Sequence, residues 1–255
     1  MRKNTGRLGE KRVNYDFVDL GDPVEHVARL TLAREKKKNA LSMKMRDELE
    51  DAFRRLVENE DVHVVVLAGS AGVFCAGYDL KEGMESGGSA FLYRFREFFE
   101  ACYLFPKPVV AAVDGPALAG GFDLALMADF IIASPRAVFG HPEIDFGPVA
   151  ILPLARFVAP ARLRELCMLG EQIDAETAKN YGIVHEIVEP GRTETAADTL
   201  AALLAAKPPA ALAGSKRALA RGVRESINAD AEALDAALTA TGRAYDDYVS
   251  KRIGS

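Results

Sequence analysis

Two short runs, "VVVLAG" at 64–69 and "PVVAAVDG" at 108–115, limit what this 255-residue chain can fold into more than anything else in it. Each is apolar at nearly every position and rich in valine, so neither alternates as a strand with one wet face would. Such runs suit strands buried on both sides, the habit of parallel sheets covered by helices. Each ends in glycine and leads into a glycine-rich turn: "SAGVFCAGYDLKEG" after the first, and "GPALAGGFDLALMAD" at 115–129 as the continuation of the second. Glycine costs a helix about 0.8–1 kcal/mol relative to alanine, so Gly120 and Gly121 at the mouth of an apolar helical run need a reason. Close packing of helix on strand is one; leaving backbone N–H groups open to a ligand is another.

The rest of the chain supplies the frame. Residues 13–20 and 24–32 alternate apolar and polar around "GDP" and read as a hairpin. Ser42 is placed to cap a helix running to about Asn59, with Leu49, Phe53, Leu56 and Val57 on one face. A helix is predicted from Ser89 to Leu104, short strands at 129–134, 137–147 and 183–188, and three helices after 191, broken at "KPP" (207–209). Strands interleaved with helices, then helices alone, define an α/β fold with a helical C-terminal region.

Composition narrows the function. Basic residues number 32 against 37 acidic ones, a net charge of −5, so the basic excess of a nucleic-acid binder is missing. No apolar run reaches the roughly 18 residues of a membrane span. The N-terminus has no apolar run behind its basic residues and does not read as a signal peptide. Cys75, Cys102 and Cys167 stand apart without a CxxC pair, which suggests a reduced, cytoplasmic setting. The four histidines are scattered, so no metal cluster is expected.

At the start of a helix the N–H groups lack intrahelical partners and carry partial positive charge. Two glycine turns that each follow a buried strand are able to aim two such donors at one carbonyl oxygen. A preorganised donor is typically worth about 2.7–4 kcal/mol where negative charge develops. Cys75, inside the first turn, has no base beside it in sequence, and an apolar setting makes a thiol inert.

"KKKNALS", "FCAGYDLKEG", "KPVVAAVDGPALAGGFDLALMADFIIAS" and "AVFGHPEIDFG", in this order over roughly residues 13–190, resemble the crotonase family, also called the enoyl-CoA hydratase/isomerase superfamily. The resemblance implies a crotonase-like spiral of repeated ββα units over residues 1–190, holding an acyl-CoA site, and a helical region at 191–255 that drives assembly into homotrimers or homohexamers. It implies an acyl-CoA thioester whose carbonyl oxygen sits between the backbone N–H groups of Ala76 and Gly120, with Gly121 beside them. The thioester is substrate, and no metal or redox cofactor, nucleic acid or membrane partner is implied.

The family's two facing glutamates fall at Asp123 and Glu143 in this chain. Two carboxylates with separated pKa values are able to serve as acid and base in adding water. Aspartate at 123 departs from the hydratase pattern. A dienoyl-CoA isomerase branch shares that aspartate and an acid at the position of Asp145, but its further aspartate falls on Ile151 here. Glu143 is accordingly the first candidate for proton transfer and Asp123 the second. Asp145, two residues on along an expected strand, would share the face of Glu143. Tyr78 is a candidate for the acyl pocket, His141 for a turn hydrogen bond before Pro142, and Lys36, Lys37, Lys38 and Lys81 for the CoA moiety. The segment "GPVAILPLARF" replaces a glycine pair with an apolar wall, and the sequence ends at "RAYDDYVSKRIGS", short of the C-terminal aromatic element that the resemblance implies, with Tyr245 and Tyr248 as candidate substitutes. The expected activity is enoyl-CoA hydration. Double-bond isomerisation, acyl-CoA hydrolysis and silent acyl-CoA binding remain the alternatives.

Overall fold

The computed structural model describes residues 14–86 and 94–253. Six strands form the main sheet: β1 (Val18–Leu20), β2 (Val27–Leu32), β3 (Val64–Gly69), β4 (Val109–Val113), β6 (Phe130–Ala133) and β9 (Glu186–Ile187), side by side in that order. β1 and β2 are the expected antiparallel hairpin; every other neighbour is parallel. A second sheet joins β5 (Ala117–Leu118), β7 (Val138–Gly140) and β8 (Gln172–Asp174) in the order β5-β7-β8.

The two valine-rich runs lie at the centre of the main sheet, in register at Val65 with Val109 and Val66 with Val110. Their alternate residues enter different cores, as a pleat requires. Val65, Leu67, Ala111 and Val113 join the larger core with Leu49, Phe53 and Phe99. Val64, Val66, Ala68, Val110 and Ala112 form a second core with Ala197 and Ala201. This is why neither run shows a polar face.

Helix α1 (Met43–Glu58) begins where Ser42 predicts, with its Oγ accepting from the Met45 N–H at 3.2 Å. α2 (Leu80–Glu85), α3 (Phe95–Tyr103) and α4 (Gly120–Leu126) follow. The helix read from Ser89 is described only from Phe95; its opening residues lie outside the described part. The strand read over 137–147 is shorter: β7 stops at Gly140, and Pro142–Asp145 form a 3-10 turn. Proline lacks the N–H that would continue the ladder, which ends the strand there. The strand read at 183–188 contracts to β9.

The C-terminal part brings α5 (Leu152–Ala155), α6 (Pro160–Met168), α7 (Ala175–Asn180), α8 (Thr193–Ala205), α9 (Pro209–Leu219) and α10 (Val223–Ile253). The last three are the helices expected after 191. α8 carries Ala197 and Ala201 onto the sheet, so the first helix of this region completes the core. α9 is tied down by the buried Lys216, which donates to Asp129 Oδ2 at 2.7 Å and to the Lys107 carbonyl at 2.8 Å. Among the described residues no helix is long and apolar enough to cross a membrane.

Lys216→Ala leaves a largely enclosed Asp129 without its cation, a type of change that costs about 3–5 kcal/mol. Ser42→Ala removes only a cap, worth about 1 kcal/mol. Urea unfolding should therefore rank Lys216→Ala well below Ser42→Ala; the reverse order would refute the clamp.

Candidate active site

The site is built where the two glycine turns meet. Residues 75–79 lie between two stretches of backbone. On one side Cys75 pairs with Ala117, its N–H donating to Pro116 O at 3.1 Å and its carbonyl accepting from Leu118 N at 3.0 Å. On the other side Leu41 donates to Gly77 O at 2.7 Å and accepts from Asp79 N at 3.1 Å. Gly77 makes the change of partner at φ +96°, a conformation that costs a side chain dearly. A Cβ there would also lie 2.7 Å from Ala119 Cβ.

Ala119, at φ 52°, turns the chain into α4. Its carbonyl accepts from Phe122 N at 2.8 Å and from Asp123 N at 3.1 Å. Among the described residues the Gly120 amide finds no acceptor, as expected of a first-turn donor. Gly120 and Gly121 do different work. A Cβ on Gly121 would lie 2.3 Å from the Cys75 carbonyl oxygen, so this glycine lets the helix pack on the turn and does not line the cavity. A Cβ on Gly120 would lie 2.4 Å from the Tyr78 ring.

The Ala76 amide corrects a sequence expectation. It donates to the Lys38 carbonyl at 3.0 Å, so it is already spent as a donor. The pairing with Leu41 supplies the alternative. Residues 77 and 79 turn their bonding groups toward Leu41, and alternation turns the Tyr78 N–H to the opposite side. Sequence reading had marked Tyr78 for its ring alone, because the placement of its amide depends on a long-range pairing.

A cavity of about 370 Å³ opens here, walled by Ala76, Tyr78, Leu118, Ala119, Glu143 and Phe146. Lys37, Arg46 and Lys81 also border it. Lys36 is exposed and does not line it, and Lys38 contributes its carbonyl bond to Ala76. Arg46 was not foreseen. Its guanidinium sits 5.3 Å from the Tyr78 ring centroid, a cation–π arrangement, and its side chain is buried. The available signal was a charge at i−3 and i−7 from Leu49 and Phe53, on the apolar stripe of α1.

Glu143 faces the cavity; Asp123 and His141 stand behind it, all three buried. His141 Nδ1 lies 3.0 Å from Glu143 Oε1, and Nε2 lies 3.7 Å from Asp123 Oδ1. The histidine therefore serves the glutamate and not the turn backbone. One atom from each of the three lies within 4.8 Å of the others, a gathering of metal-ligand types that linear spacing did not show. Asp123 Oδ1, His141 Nε2 and Glu143 Oε2 have no hydrogen-bond partner. Asp145 does not join them. It is exposed, because the 3-10 turn rotates it away from the face a strand would have given it.

Burial pushes Asp123 up to about 8; the His141 charge opposes this and the Glu143 charge adds to it. His141 is raised too: burial works against its cation, but the two acids outweigh it. Cys75 is pushed up to about 12 by burial and points its Sγ at the Asn39 carbonyl, 3.0 Å away, which removes it as a nucleophile. Because Asp123 is raised from the ordinary 3.8, the folded chain binds a proton there that the unfolded chain releases. This favours folding below pH about 4, and the gain is lost as pH rises through about 8. Asp123→Asn should accordingly raise the melting temperature over the parent at pH 8.5 and lose that advantage near pH 4; an equal difference at both would contradict the shift.

Comparison with known proteins agrees with this architecture. The profile of the Enoyl-CoA hydratase/isomerase family matches residues 23–248. A carnitinyl-CoA dehydratase of Citrobacter koseri is 35% identical over 204 residues, covering 74% of this chain and 75% of its own. The crystal structure of an enoyl-CoA hydratase/isomerase from Xanthobacter autotrophicus Py2 superposes with a TM-score of 0.81 at 30% identity, over 94% of both chains. An enoyl-CoA hydratase from Bacillus anthracis gives 0.76 at 31% identity, over 85% of this chain and 90% of its own. The chain has the crotonase-type α/β fold and belongs to the enoyl-CoA hydratase/isomerase family.

Proposed function

We propose that this protein is an enoyl-CoA hydratase in which Glu143 moves the proton at the thioester α-carbon. The observation that carries this reading is that Ala119, the residue just before the unpartnered Gly120 amide, walls the same cavity as Glu143. The thioester carbonyl oxygen would accept from Gly120 and from the amide of Tyr78, which takes the place expected of Ala76. As the α-carbon becomes enolate-like, its charge moves onto that oxygen, where preorganised donors are most effective. Glu143 delivers a proton to the α-carbon and takes up the one released by the water that adds at the β-carbon, and dehydration runs the same exchange in reverse.

Lys37 and Lys81, at the cavity edge, are the cations suited to the CoA phosphates. Lys81 lies 3.8 Å from Glu85 and is more than half exposed, so it is able to exchange that partner for a phosphate. The reaction is proposed to need no metal or redox cofactor. A homotrimer or homohexamer held by the helices after 191, in the cytoplasm, completes the reading.

One observation favours a second activity. Of the two acids only Glu143 borders the cavity, and a single carboxylate suffices to shift a double bond by removing and returning one proton. Double-bond isomerisation therefore stands next, ahead of hydrolysis and silent acyl-CoA binding.

Incubation with 2-enoyl-, 3-enoyl- and dienoyl-CoA thioesters, followed by mass and ultraviolet absorbance, separates these. A gain of one water mass is expected for a 2-enoyl thioester, with EDTA without effect. Constant mass with altered absorbance would replace the hydratase by an isomerase, and free CoA would indicate a hydrolase. Glu143→Gln should lower kcat by about 100-fold or more while leaving CoA-thioester affinity in place; retained turnover would refute Glu143.

A further inference from the structure

His141 is the buried titratable group that the proposed reaction leaves without a task. It has no exposed surface and packs its ring 5.1 Å from that of Phe122, which fixes the imidazole between the first turn of α4 and the 3-10 turn. One ring nitrogen reaches Glu143 at 3.0 Å and the other faces Asp123 at 3.7 Å. Asp123 is shorter than glutamate by one methylene, lies behind Glu143 and does not border the cavity. The ring fills the space between the two acids.

We propose that His141 is the positioning residue of Glu143, and that Asp123 acts on the reaction only through His141. This rests on the reading of Glu143 as the proton carrier. The Nδ1–H donates to the Glu143 carboxylate and holds it toward the cavity. That leaves Nε2 facing Asp123 Oδ1 at 3.7 Å, beyond hydrogen-bond distance, so Asp123 reaches the ring through charge while the ring reaches Glu143 through a hydrogen bond. When Glu143 takes a proton from substrate, its bond to Nδ1 weakens; when it returns the proton, the bond is restored. Glu143 thus has its orientation set from behind, as a third group orients the base in a catalytic triad.

The neighbours are consistent with a coupled unit. Tyr78, Cys75 and Cys167 all feel the charge of Asp123, and Asp230 from α10 also acts on Asp123. The Arg46 cation lies 5.3 Å from the Tyr78 ring centroid. Groups this close titrate as a set and not one by one.

A double-mutant cycle tests the idea. Asparagine places its amide near the Nδ1 position of histidine and glutamine near Nε2, so His141→Asn retains a donor for Glu143 and His141→Gln retains a partner for Asp123. Asp123→Asn is expected to lower kcat about 10-fold with KM little changed, and to displace one limb of the pH–kcat profile. In the His141→Asn background the same substitution should have no further effect, because the route from Asp123 is already cut. Additive losses would show that Asp123 acts on the substrate directly and would overturn the proposal. If His141→Asn fails to fold, His141→Gln takes its place in the cycle.

A second readout does not depend on turnover or on a folded His141 variant. Nitrogen NMR of the imidazole ring should show a titration step that moves when Asp123 is replaced by Asn; a ring unaffected by that change would also overturn the proposal. Parent protein inactive on every thioester, with the ring still responding, would instead refute the catalytic reading and leave the coupling intact.

Discussion

Everything in the site depends on how closely one backbone approaches another. The turn at 75–77 lies against the start of α4 with no room for side chains between them: a Cβ at Gly121 would meet the Cys75 carbonyl, and one at Gly77 would meet Ala119. This contact sets the separation between the Gly120 amide and the Gly77–Tyr78 turn, and so the width of any carbonyl oxygen held between them. It rests in turn on the two central strands, which bring both turns to the same end of the sheet. The buried Asn39 braces the arrangement from the other side, its side chain donating to the Ser70 carbonyl at 3.1 Å and the Val73 carbonyl at 2.8 Å.

The polar cluster beside that contact is held at a cost. Desolvating two carboxyl groups and an imidazole opposes folding, and three of their atoms find no hydrogen-bond partner. A structural residue set would have been relieved of such groups, since removing them is an easy route to stability. A strongly shifted acid in an enclosed cluster, as Asp123 is, marks a site of chemistry more often than scaffolding. Elsewhere the same chain neutralises its buried charges in pairs: Lys216 with Asp129 at 2.7 Å, Arg34 with Asp79 at 2.7 Å.

The central strands, the capped α1 and the three closing helices were legible because each rests on local patterns: apolar runs, a serine ahead of a helix, alanine-rich stretches broken by prolines. The site was legible in part. Asp123 and Glu143 follow from motif spacing, and their closeness is real. What failed was whatever depended on pairing between distant segments. Ala76 carries no mark showing that Lys38 uses its amide, and Tyr78 carries none showing that its own amide turns away from Leu41. The strand read through Asp145 failed for a local reason: Pro142 stops the ladder, and the 3-10 turn that follows gives Glu143 and Asp145 different faces. His141 looked like a turn residue because the acids it joins are 18 and 2 positions away.

The second core has a consequence for how the chain is made. Val64, Val66, Ala68, Val110, Ala112 and Ile132 are all in place once the first four parallel strands are, yet the surface that covers them, Ala197 and Ala201, comes some 65 residues after the last of these positions. A ribosome adds residues at about 5–20 per second, so this face of the nascent sheet stays uncovered for several seconds. During that interval it is a wet apolar plane with valine at its centre, the kind of surface that chaperones bind and that aggregation begins on. α8 is therefore the seal on an unfinished surface.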